Sequence, residues 1–248
     1  MFILSFLFFL TSILYSSVGF GGGSTYLALL LIWGVPYQIF PIIALCCNII
    51  VVSGNCFNYI RARNINVRLL QNYLITSIPL AFIGGSLSIN KNFFEILLFI
   101  VLSLAGILLL LKFKSLDNKN EIYKKTPKVI SILVGGLIGF ISGVVGIGGG
   151  IFLSPILLLL NAAKTKDIAT TASLFILINS IAGLGGQFTK NFTFDQIQNY
   201  WPLFLLVFIG GQIGNFLNIK IFPTRILVLV TAGLVLFVAI RIGFKLFL

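Results

Sequence analysis

Two glycine-rich stretches decide the fold: GFGGGSTYLALL at residues 19–30 and GIGGGIFLSPIL at residues 146–157. They lie 127 residues apart, and the tripeptide IGG recurs at 83–85 and 209–211 with an offset of 126 residues. Two landmarks in nearly the same register predict a duplicated fold.

The composition around these stretches is that of a membrane protein. The chain has 248 residues, of which 58% are hydrophobic and 9% charged, and its mean hydropathy is +1.12. A soluble domain carries about 25% charged residues. Histidine, the commonest general base, is absent from the sequence. A soluble enzyme is therefore excluded, and an integral membrane protein built from spanning segments is predicted.

Eight apolar runs approach the roughly 20 residues that a membrane-spanning helix needs. Two shorter apolar pieces, 26–33 and 151–160, follow the glycine stretches and are too short to cross a ~30 Å hydrocarbon core. Short, glycine-interrupted segments at matching places in two halves point to a transporter binding site. The alternative is a pair of half-helices that lie on the membrane surface. The long runs are 2–18, 39–60, 69–89, 93–113, 129–145, 168–186, 200–217 and 226–240.

We therefore predict an all-α integral membrane protein with two repeated halves. Residues 1–113 form the first transmembrane repeat, 114–127 a cytoplasmic linker, and 128–248 the second repeat. Each half should contain a glycine-rich broken or re-entrant hairpin and three full spans. No basic n-region and no cleavage pattern precedes the first run, so it is interpreted as retained membrane structure.

The charges suggest an orientation but leave the symmetry of the repeats open. If each glycine hairpin returns to its own side, the second half is inverted and 13 of the 17 basic residues share the linker side. If the glycines merely break a crossing helix, the repeats are parallel and the partition becomes 12 to 5. Both arrangements obey the positive-inside rule, so both place the linker in the cytoplasm. The shortness of the pieces after the glycines favours inverted repeats.

The glycine runs are the segments best suited to binding chemistry. Three consecutive glycines expose backbone groups that hydrocarbon cannot satisfy, so they must pack against protein or line a watery cavity. A short helix should begin after each run, at Ser24 and at Ile151, with its positive N-terminal end near the middle of the membrane. Two such ends could hold an anion without a buried lysine or arginine. For the IGG pairs at 83–85 and 209–211, close helix packing is the better interpretation.

Amides and hydroxyls within the apolar runs can donate hydrogen bonds to an oxyanion or to a neighbouring helix. No aspartate or glutamate lies in the middle of a span, so the sequence shows no carboxylate proton relay. We predict no catalytic residues, no metal ligands and no cofactor. The predicted substrate-binding residues are Gly21, Gly22, Gly23, Ser24, Asn48, Gly148, Gly149, Gly150, Thr170, Thr171, Ser173 and Asn179.

Three cysteines, Cys46, Cys47 and Cys56, share one run. Without a histidine they make a poor zinc site and are best interpreted as buried residues, with a contact to a sulfur-containing substrate as the alternative. No phosphate-binding loop or catalytic triad is present in the sequence. The predicted partners are a small anionic substrate and the lipid bilayer, and the sequence is also compatible with a homo-oligomer. Nothing supports nucleic-acid binding.

The string GFISGVVGIGGGIFLSP at residues 139–155, followed by ATTASL at 169–174, resembles the signature of the sulfite exporter TauE/SafE family. The resemblance covers essentially the whole chain. It implies a two-repeat membrane protein that moves sulfite-like or organosulfur anions or small organic acids. Carried over by position, it marks residues 19–23 and 146–150, Pro155, Thr170, Thr171 and Ser173. The first half departs from the pattern, because Ala28 stands where the offset would place a proline.

We therefore predict a transporter in the cell (inner or plasma) membrane that moves sulfite, a sulfonate or a related carboxylate by alternating access. An anion-selective channel that uses the same loops is the alternative. An intramembrane enzyme and a non-transporting assembly factor are weaker alternatives, and we predict no enzymatic activity. If the glycine loops form the site, Gly149→Leu should fill it and abolish transport while the protein still inserts.

Overall fold

A computed structural model describes residues 1–17, 19–61, 66–115, 123, 126–190, 195–217 and 224–247. All regular structure in these ranges is helical. A single 3₁₀ turn, Tyr37–Ile39, precedes the third of eleven α-helices in the described ranges. The helices are α1 (Phe2–Ser16), α2 (Gly23–Ile32), α3 (Phe40–Arg61), α4 (Val67–Ser86), α5 (Lys91–Ser115), α6 (Lys128–Val145), α7 (Gly150–Leu159), α8 (Thr165–Gln187), α9 (Asp195–Gln198), α10 (Trp201–Leu217) and α11 (Thr224–Phe247).

Local sequence accounts for where the helices begin. Asn66 caps α4 by accepting a hydrogen bond from the Leu69 amide at 3.1 Å, and Asn90 accepts one from the Phe93 amide at 2.8 Å near the start of α5. The two short helices are instead preceded by left-handed glycines, Gly22 with φ +88° and Gly149 with φ +82°. A residue with a Cβ is strained in this conformation, so glycine is required before both helices.

Four helices are long and apolar enough to cross a membrane among the described residues, in the ranges Tyr37–Arg61, Lys91–Leu111, Lys128–Val145 and Lys166–Gln187. They fall on four of the predicted runs. The apolar helices Phe2–Ser16 and Trp201–Leu217 are shorter, and α4 has 20 residues but includes several polar ones. The short helices α2 and α7 have 10 residues each and begin one residue earlier than the sequence predicts, at Gly23 and Gly150.

Helices of one half pack mainly against helices of the other. α1 packs along α10 and α4 packs along α6, while α3 and α8 meet at the centre and α5 contacts α11. Glycines at four-residue spacing bring α6 onto α4: a Cβ built on Gly135 would lie 2.8 Å from the Cα of Tyr73, and one on Gly139 would lie 2.6 Å from the Cα of Ser77. This is the small-residue packing that membrane helices use in place of the hydrophobic effect.

The predicted packing role of the IGG glycines is largely confirmed. A Cβ built on Gly84 or Gly85 would collide with the backbone carbonyl of Phe140 or Gly183, and one on Gly210 would lie 2.6 Å from the Phe9 carbonyl oxygen. Gly211 is the exception, because its nearest heavy atom would be 3.5 Å away. The other three glycines are thus set by helix contacts.

The central helices α3 and α8 run in opposite directions. Near the start of α3, Leu45 lies beside Gly183 late in α8, whereas Tyr59 near the end of α3 and Ser173 earlier in α8 both lie within 3.0 Å of the Cβ position of Gly19. α5 and α11 are antiparallel too, because Gly106 meets Leu236 and Gly243 meets Phe99.

Large apolar side chains cover the outside of the bundle. Leu133 and Leu137 on α6 are 67% and 63% exposed, and Ile100 and Ile107 on α5 are 53% and 52% exposed. The centre, in contrast, contains buried serines, threonines and asparagines. This distribution suits a hydrocarbon solvent around the helices and polar contacts between them. The predicted linker 114–127 lies largely outside the described residues, so its boundaries stay a prediction.

Candidate functional site

The two glycine loops, residues 19–23 and 146–150, meet at the centre of the bundle around Asn48 of α3. The Asn48 side chain is fully buried, and its Nδ2 donates to the Ile147 carbonyl oxygen at 3.1 Å and lies 3.5 Å from that of Gly146. A residue from the first half thus holds the loop of the second half. Ile176 of α8 lies beside both loops, within 3.2 Å of the Cβ positions of Gly21 and Gly148 that also face Asn48.

Missing side chains allow this approach. A Cβ built on Gly23 would lie 2.7 Å from Asn48 Nδ2, and one on Gly148 would lie 2.7 Å from the same atom. A Cβ built on Gly21 would collide with Asn48 Oδ1. Any other residue at these positions would push the loops away from Asn48. The predicted site residues Gly21, Gly23, Asn48 and Gly148 are therefore brought together.

A second hydrogen bond joins the two halves, and here the side chain comes from the second half and the loop from the first. Ser173 of α8, in the second half, donates its hydroxyl to the carbonyl oxygen of Gly19 in the loop of the first half. It also lies 3.0 Å from the Ala169 carbonyl of its own helix. Each glycine loop is thus held by a side chain from the central helix of the other half, Asn48 for one and Ser173 for the other.

The N-terminal ends of α2 and α7 open onto the same region. The N-cap residues Gly22 and Gly149 have no side chain, so neither accepts a hydrogen bond from the first backbone amides of its helix. Helix geometry leaves those first N–H groups without partners inside the helix. The Ser24 hydroxyl, at the second residue of α2, is 2% exposed and has no hydrogen-bond partner in the described part of the chain. The arrangement leaves backbone donors at the starts of two helices, directly after the glycine loops.

All twelve predicted site residues are buried, but several turn away from the loops. The Thr170 hydroxyl donates to the Lys166 carbonyl at 3.0 Å, and Asn179 Nδ2 donates to the Phe175 carbonyl at 2.9 Å, both within α8. The hydroxyl of Thr171 has no partner among the described residues. Gly150 packs against the Ile176 side chain.

Gly149 does not face the space between the loops. A Cβ built there would lie 2.7 Å from Ile138 Cγ2 and 2.8 Å from Phe175 Cε1, in the hydrophobic core. The sequence-based reason for Gly149→Leu is therefore wrong: the side chain would enter the core rather than fill the site. Gly149 shapes the start of α7, and the glycines whose missing side chains face Asn48 are Gly21, Gly23 and Gly148.

The predicted set of site residues omits two residues beside the loops, Ser180 and Ile176. Ser180 Oγ would lie 3.0 Å from a Cβ on Gly148, is fully buried, and has no partner in the described ranges. Its hydroxyl within an apolar run marks Ser180 as a possible donor but does not distinguish it from the other polar residues of α8. Ile176 carries no polar group, so nothing in the sequence marks it.

No charged residue and no cysteine is among the nearest neighbours of the loop glycines in the described part of the chain. Glu95 is buried at 6% exposure, but in the second turn of α5. Cys47 and Cys56 belong to the hydrophobic core, which agrees with their interpretation as ordinary buried residues. No cluster of potential metal ligands is found among the described residues. The region is built from backbone amides, carboxamides and hydroxyls.

Comparison with known proteins places the chain in a family. The family model described as "Sulfite exporter TauE/SafE" matches residues 4–242. A probable membrane transporter protein of Sinorhizobium fredii is 29% identical over 84% of this chain and 83% of its own length. Probable membrane transporter proteins of Bacillus subtilis and Methanocaldococcus jannaschii are 23% and 26% identical, each over about nine-tenths of both chains. No solved structure matches the chain. The chain belongs to the sulfite exporter TauE/SafE family and is a membrane transporter.

Proposed function

We propose that this transporter moves a small anion, namely sulfite, a sulfonate or a related organosulfur or carboxylate anion, through the space between the two glycine loops. The single observation that carries the proposal is the meeting at the buried Asn48 of the two glycine loops that lead into the N-termini of α2 and α7. Helix N-termini present backbone donors and a positive dipole end to an anion.

The donors are neutral, which suits transport. Each helix end contributes roughly 0.3–1 kcal/mol toward a nearby negative charge at an exposed site and up to about 2 kcal/mol at a partly buried one. Neutral donors at Ser24 and Ser180 can add hydrogen bonds without a fixed positive charge. A site of this kind can bind an anion well enough to hold it and weakly enough to release it on the other side.

Alternating access is the mechanism that the packing favours. The antiparallel α3–α8 pair and the exchange of contacts, α1 with α10 and α4 with α6, fit two inverted repeats related by a pseudo-two-fold axis. In such a fold one half rocks against the other around a fixed site. The crossing bonds of Asn48 to Ile147 and of Ser173 to Gly19 are the contacts that such a motion would break in turn.

The distribution of basic residues supports the proposed orientation in the membrane. With inverted repeats, the predicted linker and the loop between α3 and α4 lie in the cytoplasm, and the loop between α4 and α5 lies on the opposite side of the membrane. Two single cysteines in a cysteine-free background test this, Tyr123→Cys in the linker and Lys91→Cys at the start of α5. A membrane-impermeant thiol reagent should label the second in intact cells and the first only after lysis. Equal labelling of both in intact cells would contradict the orientation.

The function itself is tested in liposomes that contain the purified protein. We expect uptake of radiolabelled sulfite or a short sulfonate to saturate with concentration. In detergent the same anions should raise the apparent melting temperature, because binding to the native state alone stabilises it. Chloride at equal ionic strength is the control for a general salt effect. Uptake that fails to saturate would favour the channel, and the absence of both uptake and stabilisation with every anion would refute the proposal.

A further inference from the structure

We propose that the ligand of this site donates a hydrogen bond of its own, and that Asn48 Oδ1 receives it. The ligand class is then a singly charged oxyanion that retains an O–H group, such as hydrogen sulfite or a hydroxyl-bearing alkanesulfonate. This inference rests on the proposed function, since it concerns the same site. The inference goes beyond the proposed function because it names a group, an O–H, that the substrate must carry in addition to its charge.

The orientation of the Asn48 carboxamide is fixed by its neighbours. One end faces the carbonyl oxygens of Ile147 at 3.1 Å and Gly146 at 3.5 Å. A carbonyl can only accept, so the amide group that faces it must be the NH₂ and not the oxygen. The oxygen, Oδ1, is consequently turned the other way, toward the glycine loop of the first half, where a Cβ on Gly21 would collide with it.

Asn48 Oδ1 is left without a partner. The side chain has no solvent exposure, and no donor in the described part of the chain reaches this oxygen. Leaving a buried acceptor unpaired is costly, and such groups in native proteins are usually satisfied by a ligand or water. The oxygen lies directly beside Gly21, at the place that a side chain of residue 21 would occupy.

An acceptor at this point discriminates between ligands. The remaining polar groups around the loops, namely the first amides of α2 and α7 and the hydroxyls of Ser24 and Ser180, can donate. They suit the anionic oxygens of a ligand. Asn48 Oδ1 carries a partial negative charge, so it repels the anionic oxygens. It can, however, accept a hydrogen bond from an O–H group of the ligand. Ile176, which lies beside the same glycines, offers an apolar surface to a short hydrocarbon segment.

An isosteric pair of sulfonates tests the inference. 2-Hydroxyethanesulfonate and propane-1-sulfonate carry the same charge and differ by a hydroxyl in place of a methyl group. With the purified full-length protein, isothermal titration should show the hydroxyl compound binding about ten- to a hundredfold more tightly, which is the range that an unpaired buried acceptor implies. Equal affinities for the two compounds in the wild-type protein would overturn the inference while leaving the proposed function in place. The absence of binding by any anion would instead refute the proposed function.

Variants of Asn48 assign the effect to this residue. In Asn48→Leu, which keeps the branched shape of the side chain but has no acceptor, the affinity ratio of the two sulfonates should fall to about one. Asn55→Leu is the matched control, because Asn55 is also fully buried on α3 and donates to a backbone carbonyl, that of Ser16, at 2.9 Å. Its substitution should lower stability but leave the ratio unchanged.

A second variant leaves Asn48 itself unchanged. Gly21 does not have a positive φ, so an alanine there is not strained by its φ, and its methyl group would collide with Oδ1 and displace the carboxamide or the loop. It should also lower the ratio toward one, because it blocks the approach of a ligand hydroxyl. A ratio that stays at the wild-type value in Gly21→Ala and in a folded Asn48→Leu would show that Asn48 only holds the loop, and would overturn the inference.

Discussion

Replacement of Gly149 by alanine should destabilise the protein rather than block its site. Two terms add. Gly149 has φ +82°, and a residue with a Cβ loses about 1–2 kcal/mol in the left-handed region. The new methyl group would lie 2.7 Å from Ile138 Cγ2 and 2.8 Å from Phe175 Cε1, and overpacking of a core costs about 1–3 kcal/mol. The expected loss in the free energy of unfolding is therefore roughly 2–5 kcal/mol.

The assay is thermal unfolding of the purified protein in detergent. A chain of this size loses about 2–4 °C of melting temperature per kcal/mol, so Gly149→Ala should melt roughly 4–20 °C below the wild type. Gly211→Ala is the matched control, because its Cβ would meet nothing closer than 3.5 Å and its φ is not positive. That variant should melt within about 2 °C of the wild type or slightly above it, since alanine favours the helix. A Gly149→Ala protein as stable as the control, with impaired transport, would refute this reasoning and restore a direct role in the site.

Two further predictions concern helix packing and pH. Gly139→Ala should destabilise the protein by about 1–3 kcal/mol, because its Cβ would lie 2.6 Å from the Cα of Ser77 and force α6 away from α4. Gly185→Ala is the control, because its Cβ would lie 3.6 Å from the nearest ring atom of Phe82. Equal melting temperatures of the two variants would contradict the close packing of α6 on α4. Burial lowers the pKa of Lys190 below its usual 10.5. The unfolded chain therefore binds more protons between the lowered value and 10.5, so this group makes stability rise with pH across that window. The difference in melting temperature between Lys190→Met and the wild type should therefore shrink as the pH approaches about 10. A difference that does not change with pH would contradict the lowered pKa of Lys190.

Much of the architecture could be predicted from the sequence because membrane folds leave strong one-dimensional signals. Hydrocarbon allows only internally hydrogen-bonded segments, so long apolar runs become helices. Breaks in those runs at glycine mark the starts of α2 and α7 within one residue, because Gly22 and Gly149 must adopt a left-handed conformation. The family resemblance rests on the same glycine stretches, and the match over residues 4–242 confirms it.

The details of the site depend on which helices pack together, and periodicity carries no such information. Polarity alone predicts Asn48 as a ligand, but only the packing of α3 beside the second glycine loop sets its NH₂ on Ile147 and its oxygen toward Gly21. Thr170 has an equally polar side chain, and its hydroxyl is used by its own helix. Polarity within a span identifies candidates and cannot rank them.

Local sequence is sufficient to establish the class of protein, the helices and the positions where the backbone must be glycine. These follow from the solvent and from steric effects that act over a few neighbouring residues. Long-range packing, in contrast, makes each half hold the glycine loop of the other, through Asn48 on Ile147 and Ser173 on Gly19. Those contacts join residues 99 and 154 positions apart, and their geometry depends on the antiparallel packing of α3 and α8, which no local pattern encodes.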